Sequence, residues 1–84
     1  MTSKTISMNR VFGMGSKEAA QLINRASVFQ SNITLKKGDH QANAKSLLGV
    51  VSLCAFEGNE MTVVAAGADE EEAVNDLIQF LQGN

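Results

Sequence analysis

The strongest constraint on the fold is a regular change in hydrophobic period along the 84-residue chain. Short segments alternate apolar and polar residues, and they are separated by stretches in which apolar residues recur every three or four positions. The first pattern is typical of half-buried strands, and the second is typical of amphipathic helices. Because each such element has one apolar side, the pattern predicts a sheet with helices packed on a single face.

The chain divides into seven elements. Helical spacing predicts a helix from Ser16 to Phe29, a short helix after Ser46 and a last helix after Asp69. Alternation predicts four strands, which are Lys4–Asn9, Asn32–Lys36, Gln41–Asn43 and Glu60–Ala66. The resulting order is βαββαβα, and it indicates an α+β fold with a mostly antiparallel sheet.

The last helix has the clearest start signal. Asp69 and Glu72 are three residues apart and are predicted to form a capping pair. Glu70 and Glu71 add negative charge at the positive end of the helix dipole. The predicted buried stripe of this helix consists of Ala73, Val74, Leu77, Ile78 and Leu81.

Composition argues against several classes of function. The net charge of −2 and the low content of basic residues give no electrostatic case for nucleic-acid binding. No apolar run approaches the roughly 20 residues that a membrane-spanning helix needs. Cys54 is the single cysteine, which fits a reducing cytoplasm, and we predict that it is buried. His40 and Cys54 are too few for a zinc site, so we predict no metal and no cofactor.

The segment Asn43–Leu53 (NAKSLLGVVSL) places a serine directly before a short apolar run. Ser46 is predicted to cap the amino-terminal end of a helix, because its hydroxyl can accept from an unpaired N–H of the first turn. Leu47 and Leu48 are more apolar than a solvated short helix requires. Two interpretations stay open: a capped helix that is packed into the core, or a helix with part of its apolar surface available for docking.

The same segment resembles the HPr family, the histidine-containing phosphocarrier proteins of the bacterial sugar phosphotransferase system. It follows the regulatory-serine signature of that family nearly residue for residue, and Gly67–Glu70 and Ser31–Leu35 match as well. The resemblance covers essentially the whole chain. It implies one domain over residues 1–84, folded as an HPr-like open-faced sandwich with a four-stranded antiparallel sheet and three helices on one face.

One loop departs from the family pattern. The active-site loop of the family reads G-L-H-A-R-P, whereas the corresponding residues 13–18 of this chain read GMGSKE. The histidine that carries phosphate falls on Gly15, and the arginine falls on Lys17. Since glycine offers no ring nitrogen as a nucleophile, we predict that the chain does not transfer phosphate through a histidine and is not an enzyme.

The resemblance implies a regulatory role instead. In low-GC Gram-positive bacteria, the family serine that corresponds to Ser46 is phosphorylated by HPr kinase/phosphorylase, and the phosphoprotein is a co-effector of a LacI-type catabolite control regulator. The Crh subgroup keeps this serine and lacks the histidine, although it usually has glutamine where Gly15 stands. The implied cytoplasmic protein acts in carbon catabolite repression, with a partner-binding surface formed by Met14, Gly15, Lys17, Lys45, Leu47 and Leu48.

Two other functions stay open. The first is a phosphocarrier-like protein that uses another residue, such as Ser16 or His40, although we expect His40 to be solvated in a turn. The second is an interaction module that needs no phosphorylation. Because the chain has no Trp, no Tyr and no basic patch, we do not expect an RNA-binding version of that module or direct binding to any nucleic acid. We also expect no membrane partner, because no apolar run is long enough to span a membrane. The sequence leaves both the monomer and the homodimer open.

Overall fold

A computed structural model of the protein describes residues 1–7, 16–54 and 60–82, with side chains for all of these except Ser16 and Cys54. Within these ranges the chain forms four strands and three helices in the order βαββαβα. In chain order they are β1 (Thr2–Ser7), α1 (Ser16–Ser27), β2 (Asn32–Lys37), β3 (His40–Asn43), α2 (Leu47–Cys54), β4 (Glu60–Ala66) and α3 (Glu70–Leu81).

The four strands form one antiparallel sheet in the order β1-β4-β2-β3. The register places Leu35 of β2 opposite Val63 of β4 on one side and opposite Ala42 of β3 on the other. In the same way, Ile6 of β1 lies opposite Met61 of β4. The apolar residues of neighbouring strands therefore share one face of the sheet.

The helices cover this apolar face, and the predicted fold class is confirmed. In β4 the odd-numbered positions are buried, whereas Thr62 and Val64 between them are only half-buried on the other face. No helix in the described ranges is long and apolar enough to span a membrane. The helices contribute to the core through Ala19, Leu22, Ala26, Val50, Leu53, Ala73, Val74, Leu77, Ile78 and Leu81.

Several predicted boundaries need correction. β1 begins at Thr2, two residues before the predicted start, and the predicted Met8 lies outside the described residues. α1 ends at Ser27, because the Phe29 N–H donates to the carbonyl of Ala26 at 3.2 Å, a tighter turn than an α-helix makes. His40 is exposed, as predicted, but it is the first residue of β3 and does not lie in the turn.

The predicted Asp69–Glu72 capping pair is wrong. Asp69 occupies the N-cap position of α3 but makes no side-chain capping bond to that helix. Its carboxylate instead accepts hydrogen bonds from the Gln30 N–H at 2.8 Å, the Ser31 N–H at 3.0 Å and the Ser31 hydroxyl. The Ser31 hydroxyl contributes most, followed by the Gln30 N–H, to lowering the pKa of Asp69. Asp69 thus fastens the start of α3 to the chain that leads into β2.

Glu70, and not Glu72, is the glutamate of the first turn of α3 that makes side-chain hydrogen bonds in the described part of the structure, and its partners differ from those of a capping box. One of its carboxylate oxygens accepts from the Gly67 N–H at 3.3 Å, and the other accepts from the Thr2 hydroxyl. The second oxygen also lies 2.8 Å from the amino-terminal ammonium of Met1. That ammonium, with the Thr2 hydroxyl and the Gly67 N–H, lowers the pKa of Glu70 from 4.5 to about 2.

Candidate functional site

The turn before α2 holds Ser46 in a defined position. The Asn43 side-chain oxygen accepts from the Lys45 N–H at 2.8 Å, and the Asn43 carbonyl accepts from the Ser46 N–H at 3.0 Å. The turn is also joined to the sheet, since the Ala44 N–H donates to the carbonyl of Ile33 at 2.9 Å. An asparagine favours such a turn because its short amide can bond to the backbone two residues later.

Ser46 caps the amino-terminal end of α2, as the sequence predicted. Its hydroxyl oxygen accepts from the Gly49 N–H at 3.3 Å, and its carbonyl accepts from the Val50 N–H at 2.9 Å. The side chain is half-buried. A Cβ added to Gly49 would lie 3.3 Å from the Ser46 hydroxyl, so the glycine leaves space around that oxygen. The first turn of α2 contains no acidic residue.

Each of the two interpretations of α2, a helix packed into the core and a helix with an exposed apolar surface, holds for part of the helix. Val50 and Leu53 are buried in the core. Leu47 and Leu48 are 46% and 82% exposed, and Val51 is 37% exposed. An apolar surface therefore begins at the residue that follows Ser46 and continues for one helical turn. Val51 was not predicted to belong to the exposed surface, although it lies four positions after Leu47, the spacing that places two residues on one helix face.

The lysines of the predicted surface have different environments. The Lys45 side chain is half-buried, and its ammonium donates to the carbonyl oxygen of Phe29 at 2.8 Å. Lys17 is exposed in the first turn of α1, a helix that packs against α2. Met14 and Gly15, which complete the predicted surface, lie outside the described residues. The described patch of the predicted surface therefore consists of four consecutive residues, Lys45, Ser46, Leu47 and Leu48.

The titratable residues do not form a metal site within the described ranges. No group of three or more His, Cys, Asp or Glu side chains there is placed to hold a metal ion. His40 lies on β3, separated from Ser46 by the turn that begins at Asn43. What the patch offers chemically is a serine hydroxyl at a helix start, next to exposed leucines.

Comparison with known proteins identifies the family. Residues 2–83 match the family model described as PTS HPr component phosphorylation site. The chain is 33% identical over 82 residues to the HPr-like protein Crh of Bacillus subtilis, covering 98% of this chain and 96% of that protein. It is 35% identical over 81 residues to the phosphocarrier protein HPr of Haemophilus influenzae, covering 96% and 95%.

Solved structures agree with the sequence relatives. A histidine-containing phosphocarrier protein of Mycoplasma superposes with a TM-score of 0.84 at 29% identity, covering 95% of this chain and 91% of that one. The crystal structure of Bacillus subtilis Crh superposes with a TM-score of 0.76 at 33% identity, covering 98% and 94%. The chain belongs to the HPr family, and its similarity extends to both Crh and HPr relatives.

Proposed function

We propose that the protein is a cytoplasmic, non-catalytic regulator of the HPr family that is phosphorylated on Ser46 by an HPr kinase/phosphorylase. The phosphoprotein then acts as a co-effector of a LacI-type regulator in carbon catabolite repression. The observation that supports this most directly is the position of the Ser46 hydroxyl, half-buried at the start of α2 and followed at once by exposed Leu47 and Leu48. The similarity to Crh supports the same role.

The phosphorylation step needs little from this chain beyond an accessible hydroxyl. The Ser46 oxygen attacks the γ-phosphorus of ATP, the new O–P bond forms as the bond to ADP breaks, and a base of the kinase takes the hydroxyl proton. The product carries a charge of roughly −1.5 to −2 at the positive end of the α2 dipole. Because the first turn of α2 has no acidic residue, the added charge meets no carboxylate of that turn.

Phosphorylation changes the surface more than the fold. The phosphate adds three strong acceptor oxygens beside Leu47 and Leu48, and these oxygens fit an arginine or lysine of the partner. The leucines supply apolar contact area that is buried when the partner docks. We include Lys17, Lys45, Met14 and Gly15 in the docking surface. A phosphate-dependent charge beside apolar anchors makes binding depend on the state of Ser46.

Histidine phosphotransfer is not part of the proposal. Gly15 stands where the family carries its phosphate-accepting histidine, and a glycine has no nucleophilic side chain. Labelling of the chain from phosphoenolpyruvate by the first enzyme of the phosphotransferase system would contradict this view and would favour a phosphocarrier.

The proposal treats residues 1–84 as one HPr-like domain that can form a homodimer. The crystal structure of Bacillus subtilis Crh is a dimer with a swapped domain, and a solid-state NMR structure of Crh is also a dimer. Light scattering after size exclusion, over a wide range of concentrations, would measure the mass of this chain. A monomer mass at every concentration would reject the homodimer and leave the phosphorylation proposal unaffected.

The central experiment is phosphorylation in vitro. Incubation with an HPr kinase/phosphorylase and ATP is expected to add one phosphate to the wild-type chain and none to Ser46→Ala, as read by intact-protein mass spectrometry. Ser52→Ala is the matched control, because Ser52 is an exposed serine at the other end of the same helix. Absence of phosphate on the wild type, or its loss in the Ser52 variant alone, would overturn the proposal.

A second experiment tests the docking surface. Binding of the phosphoprotein to a LacI-type catabolite regulator is expected to weaken by tenfold or more in Leu48→Ala, since about 1.4 kcal/mol of lost contact equals a factor of ten. Val64→Ala, on the sheet face away from the helices, should bind like the wild type. Equal binding of phosphorylated and unphosphorylated wild type would favour the phosphorylation-independent interaction module.

A further inference from the structure

The segment that connects α1 to β2 is held from two sides by residues that precede the other two helices. On one side, the Lys45 ammonium donates to the Phe29 carbonyl at 2.8 Å. On the other side, the Asp69 carboxylate accepts from the N–H groups of Gln30 and Ser31 at 2.8 and 3.0 Å. Three consecutive residues are therefore bonded to side chains that lie just before α2 and α3.

The hydrogen bonds of Asp69 and of Lys45 differ in how easily another hydrogen-bonding partner could replace them. Asp69 makes three hydrogen bonds, and one of them is to the hydroxyl of Ser31, whose side chain is 1% exposed. Within the described residues, Lys45 makes one side-chain hydrogen bond, from its half-buried ammonium to a neutral carbonyl. A charged acceptor within reach would form a stronger bond with the ammonium than the carbonyl does. The Lys45 attachment is therefore the replaceable one.

Such an acceptor appears when the next residue in the chain is phosphorylated. Lys45 directly precedes Ser46, and its flexible four-carbon stem lets the ammonium turn toward a phosphate on that serine. The turn itself does not depend on the ammonium, because the Lys45 and Ser46 N–H groups bond to the side chain and the carbonyl of Asn43. The ammonium can therefore leave Phe29 while the start of α2 keeps its shape.

We propose that Lys45 transmits the phosphorylation state of Ser46 to the segment between α1 and β2. In the unmodified chain the ammonium holds the Phe29 carbonyl, and in the phosphorylated chain it pairs with the phosphate and releases that carbonyl to water. Asp69 keeps Gln30 and Ser31 in place, so the change is confined to Val28 and Phe29. Val28 is 75% exposed, and the release therefore alters a second surface position outside α2.

This inference rests on the proposed function for the modification of Ser46, and its test does not need the kinase. Phosphoserine is incorporated at position 46 during translation, and the carbonyl ¹³C shift of Phe29 is recorded by NMR with and without the phosphate. The reference for a released carbonyl is Lys45→Met, which keeps the apolar stem and removes the donor. Lys36→Met is the matched control, because Lys36 is exposed on the sheet.

Phosphoserine is expected to move the Phe29 carbonyl shift by as much as Lys45→Met does, and to move it no further in the Lys45→Met background. Lys36→Met should leave the response to phosphate intact. An unmoved Phe29 carbonyl in the wild type, or a full response that persists in Lys45→Met, would overturn the inference. Lys45→Gln repeats the comparison with a neutral polar side chain in case Lys45→Met alters packing.

The experiments can reject the regulatory proposal and the Lys45 coupling independently of each other. If the kinase does not modify Ser46 but incorporated phosphoserine shifts Phe29 through Lys45, the coupling stands and the regulatory proposal falls. If the kinase modifies Ser46 and Phe29 does not respond, the regulatory proposal stands and Lys45 is a structural residue.

Discussion

The amino-terminal ends of α2 and α3 are built in opposite ways. The first turn of α3 contains Glu70, Glu71 and Glu72, and the Glu70 carboxylate is bonded to the Gly67 N–H and to Thr2 of β1. The first turn of α2 contains no acidic residue and is capped by the neutral hydroxyl of Ser46 at 3.3 Å. Both helix ends attract negative charge, because their unpaired N–H groups carry partial positive charge.

The difference indicates separate roles for the two ends. The start of α3 already has its negative charge. Glu70 bonds to Thr2 of β1, and the N-cap residue Asp69 bonds to Ser31, the residue before β2. The start of α2 is uncharged and is followed by the exposed Leu48. A charge added at α2 therefore meets an uncompensated dipole on an accessible surface, whereas a charge added at α3 meets three glutamates.

The largest expected effect is at the close contact before α3. Gly67 has a φ of +155°, and a Cβ there would lie 2.6 Å from the hydroxyl oxygen of Ser31 and 2.7 Å from its Cα. Because the Cα cannot move aside as a flexible side chain can, Gly67→Ala is expected to lower the free energy of unfolding by about 2–4 kcal/mol. Urea denaturation followed by circular dichroism would measure this loss.

Substitutions at two other glycines separate the effect of backbone strain from the effect of the steric clash with Ser31. Gly38 has a φ of +61°, and a Cβ there would have no atom within 4 Å. Gly38→Ala should therefore lower the free energy of unfolding by about 1–2 kcal/mol through backbone strain alone. Gly49→Ala in α2 meets Ala42 at 3.3 Å but gains about 1 kcal/mol of helix propensity, so its net effect should stay within about 1 kcal/mol. Equal losses in Gly67→Ala and Gly38→Ala would show that the Ser31 contact is unimportant.

The acid dependence of stability tests the charge at the start of α3. The pKa of Glu70 is lowered from 4.5 to about 2 by the Met1 ammonium, the Thr2 hydroxyl and the Gly67 N–H. Because the unfolded chain binds this proton more readily, the stabilisation is complete above pH 4.5 and is lost as the pH falls toward about 2. The pKa of Asp69 is also lowered, mainly by the Ser31 hydroxyl, and it acts in the same direction.

Urea midpoints measured at several pH values between 6 and about 2 would check this prediction. Glu70→Gln should flatten the fall in stability between pH 4.5 and about 2, with a residual slope from Asp69. Glu71→Gln is the matched control, since Glu71 is exposed in the same turn, and it should keep the wild-type slope. If the two variants have the same pH dependence, Glu70 does not hold the start of α3.

The sequence predicts the fold well because the fold depends on hydrophobic period. All five residues of the predicted α3 stripe are buried, and the bounds of β4 are as predicted. The predicted Asp69–Glu72 capping pair was wrong because the contacts of Asp69 do not depend on hydrophobic period. Local spacing was consistent with a capping box, but the Asp69 carboxylate bonds to Gln30 and Ser31, which are nearly forty positions earlier in the chain. Contacts between distant residues leave no periodic signal.

In the candidate site too, the sequence predicts local features but not contacts between distant residues. Ser46 could be predicted as a helix cap from its position before an apolar run, and its hydroxyl does accept from Gly49. The exposure of Leu47 and Leu48 could not be decided from the sequence, because a short helix of apolar residues has no polar face to fix its orientation. The Lys45–Phe29 bond was also invisible, since it joins residues sixteen positions apart.

The smallest expected effect tests the uncharged start of α2. Ser46→Ala removes the acceptor of the Gly49 N–H and is expected to lower the free energy of unfolding by about 0.5–1 kcal/mol. Ser46→Asp restores an acceptor and adds the negative charge that the first turn of α2 lacks. Its free energy of unfolding should therefore be about 0.5–1.5 kcal/mol higher than that of Ser46→Ala. Denaturation at low and high salt would separate these contributions, because salt screens the charge and leaves the hydrogen bond.

The position that matches Ser46 is already an aspartate, Asp69, so the charge before α3 is added one residue earlier, by Ala68→Asp at an exposed position. If the two helix ends differ as described, the added carboxylate gains nothing there, because Asp69 and the three glutamates of the first turn repel it. Equal stabilisation by Ser46→Asp and Ala68→Asp would contradict the comparison. A gain at position 46 alone, reduced in high salt, would establish that α2 begins with an unfilled place for negative charge, the place that phosphorylation of Ser46 would fill.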